Sequence, residues 1–117
     1  MKRKIQLHVE KTAEKMGRRF VEAWHRAEQG KRVSERHVSF ESWHGLAGVL
    51  TPKRLDLLRH LHQHREDTVA ALARALDRDY KRVHEDVEAL EAAGLIERDE
   101  TGLRADYDEI ATTVALA

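Results

Sequence analysis

Residues 79–98 run Asp79-Tyr-Lys-Arg-Val-His-Glu-Asp-Val-Glu-Ala-Leu-Glu-Ala-Ala-Gly-Leu-Ile-Glu-Arg98. The pattern describes one helix with a start, a buried stripe and a stop. Asp79 suits an N-cap, because its carboxylate can accept the unpaired amide hydrogens of the first turn. Val83, Val87 and Leu90 recur at intervals of four and three, which puts them on one face. Gly94 follows the last turn, where a left-handed residue closes a helix at little cost, and Leu95-Ile96 begins an extended segment. Near its N-terminus the other face presents Tyr80, Lys81, Arg82 and His84. A helix with a buried stripe and a polar edge at its N-terminal end fits the major groove of DNA. Any surface helix shows the same pattern, so the flanking segments have to discriminate.

After the helix, Leu95–Arg98 and Leu103–Tyr107 read as strands joined by the Gly-containing turn Asp99–Gly102, a hairpin. Before it, Thr51-Pro52 supplies an N-cap and a proline at the first helical position. That helix carries Leu55, Leu58 and Leu61 inward and ends near His64, and Arg65–Asp67 turns the chain. Thr68 caps a further short helix, Val69–Leu76, with Val69, Leu72 and Leu76 inward. Asp77-Arg-Asp79 then makes a three-residue turn into residues 80–93. Two helices so joined form a helix-turn-helix, and the hairpin after them is a wing.

Toward the N-terminus, Ile5, Leu7 and Val9 alternate with Lys4, Gln6 and His8, the signature of a half-buried strand over 4–9. Met16, Phe20, Ala23/Trp24 and Ala27 repeat at helical spacing between Thr12 and Gln29, and Gly30 ends that helix. Val33–Phe40 reads as a second strand with Val38 and Phe40 on one face. Ser42–Leu50 reads as a short helix with Trp43, Leu46, Ala47 and Leu50 inward. A unit of two strands and one helix is too small to stand alone. It is expected to pack on the C-terminal part or on a partner subunit through Phe20, Trp24, Phe40 and Trp43. The last extended segment, Ile110–Leu116, is expected to pair with the wing or to cross to a second subunit.

Composition bounds these readings. A chain of 117 residues, 41% hydrophobic and 36% charged, is one domain or one domain with an arm. It has no cysteine, which excludes disulfides and thiolate metal sites. No apolar run approaches the roughly 18 residues of a membrane helix, and Met1–His8 is basic without the apolar stretch of a signal peptide. A cytoplasmic protein is therefore expected. Net charge is zero but unevenly spread: residues 1–50 hold 11 Lys/Arg against 6 Asp/Glu, and residues 51–117 hold 10 against 15. The acidic excess argues against indiscriminate polyanion binding, because phosphate neutralisation is its sequence-independent source.

From Leu50 to about Arg104 the chain resembles the winged helix-turn-helix of MarR-type and related transcriptional regulators. Leu-Glu-Ala-Ala-Gly-Leu-Ile-Glu-Arg, 90–98, looks like their junction of recognition helix and wing. Residues 50–59, Leu-Thr-Pro-Lys-Arg-Leu-Asp-Leu-Leu-Arg, together with 79–87, are similar to a family of small prokaryotic DNA-binding regulators. Some members of that family look like antitoxins encoded beside a toxin. The resemblance implies that Tyr80, Lys81, Arg82, His84 and Glu85 enter the major groove while Arg98 and Arg104 on the wing reach the DNA backbone or minor groove. The chain departs from the usual pattern at Glu85 and Asp86, and at Asp99 and Glu100 on the wing tip.

The resulting expectation is an α+β, mainly helical protein. A strand-helix-strand extension with a short helix (1–50) precedes a winged helix-turn-helix (51–117). Its expected function is sequence-specific binding of double-stranded DNA by a homodimeric transcriptional regulator. The expected DNA-binding residues are Arg78, as a phosphate clamp in the turn, with Tyr80, Lys81, Arg82, His84, Arg98 and Arg104. Arginine is the strongest reader among them, because its fork pairs with guanine. A competing expectation is an antitoxin-like interaction module that neutralises a toxin-like protein partner and autoregulates its operon. No cofactor or metal is expected: His60 and His64 share a helix face, but histidine is favoured at a helix C-terminus by the dipole alone. No enzyme is expected, since Ser34, Ser39 and Ser42 lack a nucleophile-elbow context and no Gly-rich phosphate loop occurs.

Overall fold

The computed structural model describes residues 3–10 and 35–116. The helix expected over Thr12–Gln29, with Phe20 and Trp24, and the start of the 33–40 strand lie outside the described residues. The described residues form an α+β fold of four helices and two sheets, divided by their contacts into two units.

One unit contains the described residues up to Leu46 and those from Tyr107 on. Its sheet is built from β1 (Lys4–Val9), β2 (Glu35–Phe40) and β5 (Glu109–Val114), in the order β2-β1-β5 with both pairings parallel. Ile5 and Leu7 are fully buried and Val9 nearly so, as the alternation of residues 4–9 requires. The other face of β1 is not wholly solvated: His8 is 7% exposed, and its Nε2 lies 2.8 Å from Nδ1 of His37, the rings stacked. A central strand of a parallel sheet is covered on both sides. The amide of Gln6 reaches across to Thr113 Oγ1 at 3.0 Å.

The last strand corrects one of the two expected places of Ile110–Leu116, the pairing with the hairpin. It pairs with β1 from Lys4↔Glu109 to Val9↔Val114, and so extends the N-terminal sheet instead of the hairpin. Residues 107–116 accordingly group with the N-terminal unit, where the sequence reading grouped 51–117. A parallel pairing needs no tight turn between partners, so nothing local in the sequence announces it.

Helix α1 (Trp43–Val49) follows β2, with Ser42 Oγ accepting from Gly45 N at 3.0 Å. Only Leu46 is buried; Trp43 is 57% exposed and Ala47 is exposed, against the expected inward set. Helical side chains lean toward the helix N-terminus, so a first-position residue such as Trp43 projects past the end of the helix.

The second unit, Ala47–Asp106, holds the remaining helices and the hairpin. Thr51 Oγ1 accepts from Arg54 N at 3.3 Å and opens α2 (Pro52–Gln63). Thr68 Oγ1 accepts from Ala71 N at 3.0 Å and opens α3 (Val69–Leu76). Asp79 Oδ2 accepts from Arg82 N at 3.2 Å and opens α4 (Tyr80–Ala92). Leu57 is fully buried beside Leu58 and Leu61, in place of the expected Leu55, and Ala73 joins Val69 and Leu72 where Leu76 was expected. Val83, Val87 and Leu90 are fully buried, as their spacing predicts. Gly94, at φ 81°, closes α4, with Leu95 N donating to Leu90 O at 2.8 Å.

The hairpin is shorter than expected: β3 (Glu97–Asp99) pairs antiparallel with β4 (Gly102–Arg104). Leu95 and Ile96 precede β3 as buried core residues, and Leu103 and Ala105 bury beside them in the hydrophobic interior of this unit. The hairpin is tied to the α2–α3 connection by Leu103 N to Glu66 O at 2.7 Å and Glu66 N to Leu103 O at 3.3 Å.

Candidate nucleic-acid interface

The candidate residues cluster around the turn between α3 and the first turns of α4. Asp77 closes α3 in the left-handed region, φ 53°, and Arg78 N donates to Ala73 O at 3.0 Å. These bonds and the Asp79 cap set the direction in which α4 leaves. The buried stripe of Val83, Val87 and Leu90 then fixes its rotation, so its opposite side meets solvent.

Lys81 and Arg82 stand on that exposed side, and no side-chain ion pair or hydrogen bond among the described residues engages either. Tyr80 is 53% exposed, its ring tilted against that of His84 at 5.8 Å. His84 Nε2 lies 3.5 Å from Glu88 Oε1 one turn further on, so Tyr80, His84 and Glu88 form one column. Beside the start of α4 a depression of about 300 Å³ is lined by Ala70, Ala73, Arg74, Asp77, Arg78 and Tyr80. Arg74 is exposed there and adds a basic group that the sequence reading did not single out.

Arg78 is placed differently from a phosphate clamp. Its Nη2 donates to Asp86 Oδ2 at 2.8 Å, while Arg54 Nε donates to Asp86 Oδ1 at 3.0 Å. The three side chains are only 14–18% exposed. Arg54 Nη1 also donates to the carbonyls of Gly48 and Val49, at 3.0 and 3.1 Å, which satisfies the end of α1. One carboxylate thus joins α2, the α3–α4 turn and α4. Asp86, which in the sequence reads as an acid facing phosphates, is an interior acid held between two guanidinium groups. Its spacing carried the signal: it is three residues after Val83 and four before Leu90, on the margin of the buried stripe. Of the two unusual acids only Glu85 is exposed.

The hairpin arginines are also occupied. Arg98 Nε lies 3.0 Å from Glu91 Oε2. Arg104 meets Glu97 at 3.0 Å, Asp106 at 2.9 Å and Asp99 in a third, short contact. Hydrogen bonds from the Thr101 hydroxyl, from Arg104 and from the Thr101 amide hold the Asp99 carboxyl well below the usual carboxylate range. A phosphate reaching Arg104 has to displace three carboxylates, which makes that residue a poor anion site. The structure therefore brings Tyr80, Lys81, Arg82 and His84 to one exposed edge, and commits Arg78 and Arg104 to pairings within the chain.

Residues 49–112, more than half of the chain, match the HVO_A0114 family, and the chain belongs to that family. No curated protein and no solved structure matches the chain. Among the described residues no cluster of His, Asp or Glu is arranged to hold a metal ion, and no helix is long and apolar enough to cross a membrane.

Proposed function

We propose that this chain is a transcriptional regulator that binds double-stranded DNA in a sequence-specific manner as a homodimer. In this reading α3, the turn and α4 are a helix-turn-helix of the MarR kind, α4 is the recognition helix and β3–β4 is the wing. The observation that carries the reading is the pair Lys81 and Arg82 on the first turn of a rigidly anchored helix, exposed and without side-chain partners among the described residues. The Arg54–Asp86–Arg78 clamp supports it, because a base-reading helix has to be held in a fixed orientation. Tyr80 and His84 extend the edge, and Arg74 adds a charge for the phosphate backbone. The wing contributes little, since Arg104 is saturated and Arg98 has to exchange Glu91 for a phosphate.

The unit contains 10 Lys/Arg against 13 Asp/Glu. Affinity then rests on few phosphate contacts, and specificity on base contacts. Binding of the promoter duplex of its own operon, measured by fluorescence anisotropy at two salt concentrations, tests this. The chain prefers that duplex over a random one, and Lys81→Ala and Arg82→Ala each weaken it by about 1–3 kcal/mol, roughly 5- to 150-fold. Equal affinity for the two duplexes sinks the regulator reading.

A second reading is favoured by the acidic hairpin, with Asp99 and Glu100 at its tip and both arginines paired. It is an antitoxin-like module that neutralises a toxin-like protein. Co-expression with the neighbouring reading frame then yields a stable complex that survives the Lys81→Ala, Arg82→Ala double substitution.

A further inference from the structure

We propose that the outer edge of β5 is a self-complementary interface, along which a second copy of the chain adds its own β5 in antiparallel fashion. The proposal rests on the homodimer reading above and specifies its contact. Within the sheet order β2-β1-β5, β5 has a neighbour on one side only among the described residues. Ala115 N donates inward to Val9 O at 3.2 Å. Because strand amides alternate in direction, the amides of Ile110, Thr112 and Val114 turn outward. Thr112, Thr113 and Val114 are exposed along this edge, Val114 at 43%.

The composition of the edge distinguishes it from its counterpart. Exposed edges are ordinarily blunted by charge or proline. The outer strand among the described residues on the other side, β2, follows that rule with the exposed Arg36 and His37. Beyond Glu109 at its start, β5 carries no charge and no proline, and neither do Ala115 and Leu116 after it; four of the seven residues Ile110–Leu116 are Ile, Thr or Val. An uncharged, β-branched edge left open invites a strand.

The geometry of a two-fold axis selects the register. An axis perpendicular to the sheet keeps each face on its own side, so residues of equal parity must pair. With Thr112 on the axis, Ile110 faces the partner's Val114 on the face that holds Ile5, Leu7 and Val9. Thr112 meets its own copy, a favourable cross-strand pair. On the opposite face, Ala111 meets the partner's Thr113. Asp108 and Glu109 of the two copies fall at opposite ends of the ladder, so no acid opposes another. The outward amides of residues 110, 112 and 114 meet as hydrogen-bonded pairs, and the two three-stranded sheets become one of six strands.

Light scattering after size exclusion, on the full chain, tests the interface together with two variants. Thr112→Pro removes an outward amide while leaving the inward bonds to β1 intact, and it raises the dimer dissociation constant by roughly tenfold or more. Thr112→Cys introduces the sole thiol of the chain and places it on the axis. The hydrogen-bonded pair sets the two Cα atoms about 5.5 Å apart, within disulfide reach, so mild oxidation links the dimer covalently. Glu41→Cys, on an exposed turn after β2, does not cross-link. Should Thr112→Pro fail to fold, the Thr112→Cys result decides. A wild-type dimer that ignores Thr112→Pro, with the Thr112→Cys thiols left reduced, overturns the β5 interface while the homodimer stands. A wild type that stays monomeric, free and on DNA, overturns both.

Discussion

Asp86 shows how a single side chain changes meaning between sequence and fold. In the sequence it extends an acidic pair at a place where DNA-binding helices tend to be neutral or basic. In the fold its two oxygens are each taken by a different arginine, at 3.0 and 2.8 Å, in a half-dry setting. Asp86→Asn removes the charge and leaves Arg54 and Arg78 in mutual repulsion. Breaking a desolvated pair from one side is costly, so a loss of roughly 2–4 kcal/mol in urea unfolding is expected. A loss under about half a kcal/mol shows that the clamp is incidental. Tyr107 gives a second residue-scale prediction. Burial pushes its phenol above the ordinary tyrosine range, opposed by the nearby Arg36 charge. A raised folded value means that its contribution to stability is complete below about pH 10 and is lost as pH rises beyond it. In alkaline titration the Tyr107 phenolate accordingly forms only as the sheet opens, and Tyr107→Phe removes that alkaline loss.

At the scale of elements the hairpin is the most constrained part. Gly102 sits at φ 120°, and a Cβ there meets Glu66 O at 2.4 Å and Asp67 Cα at 3.0 Å. Both neighbours are backbone and cannot swing away. Gly102→Ala is expected to destabilise by about 2–4 kcal/mol and to release the Leu103–Glu66 bridge, visible as faster amide exchange at Leu103. The Asp99 carboxyl, lowered by Thr101 and Arg104, gives this element an acid limb. Its folded value lies below the unfolded one, so its contribution is full above about pH 4 and declines as pH falls further. Asp99→Asn flattens the acid limb of a stability–pH profile, and an unchanged limb contradicts the contact. Much of this element's position was legible in Gly94, the Asp99–Gly102 turn and the alternation around them. Its strand limits were not, because Leu95 and Ile96 enter the core and leave the ladder to begin at Glu97.

For the whole molecule, the proposed function requires an electrically neutral chain to bind a polyanion. If α4 alone carries the contacts, the salt dependence of DNA affinity is shallow, corresponding to a few phosphates, and a phosphate-contacting Arg82 contributes about one unit of slope. Arg104→Ala then leaves affinity unchanged within about 0.5 kcal/mol, whereas a large loss restores the β3–β4 hairpin as a contact surface. The helices of the second unit were settled by local signals, because caps, periodicity and a closing glycine act within a few residues of one another. The stripe Val83, Val87 and Leu90 followed from the same signals, and with it the edge Tyr80, Lys81, Arg82 and His84. Which charges are spent inside the chain depended on the fold. Arg54 and Asp86 are 32 residues apart, and a pairing at that separation leaves no periodic trace. The place of Ile110–Leu116 depended on it too, since parallel pairing with Lys4–Val9 needs a partner more than 100 residues away and no turn between them. Local order follows from neighbours in the chain; the state of a charge and the partner of a strand follow from what folding brings together.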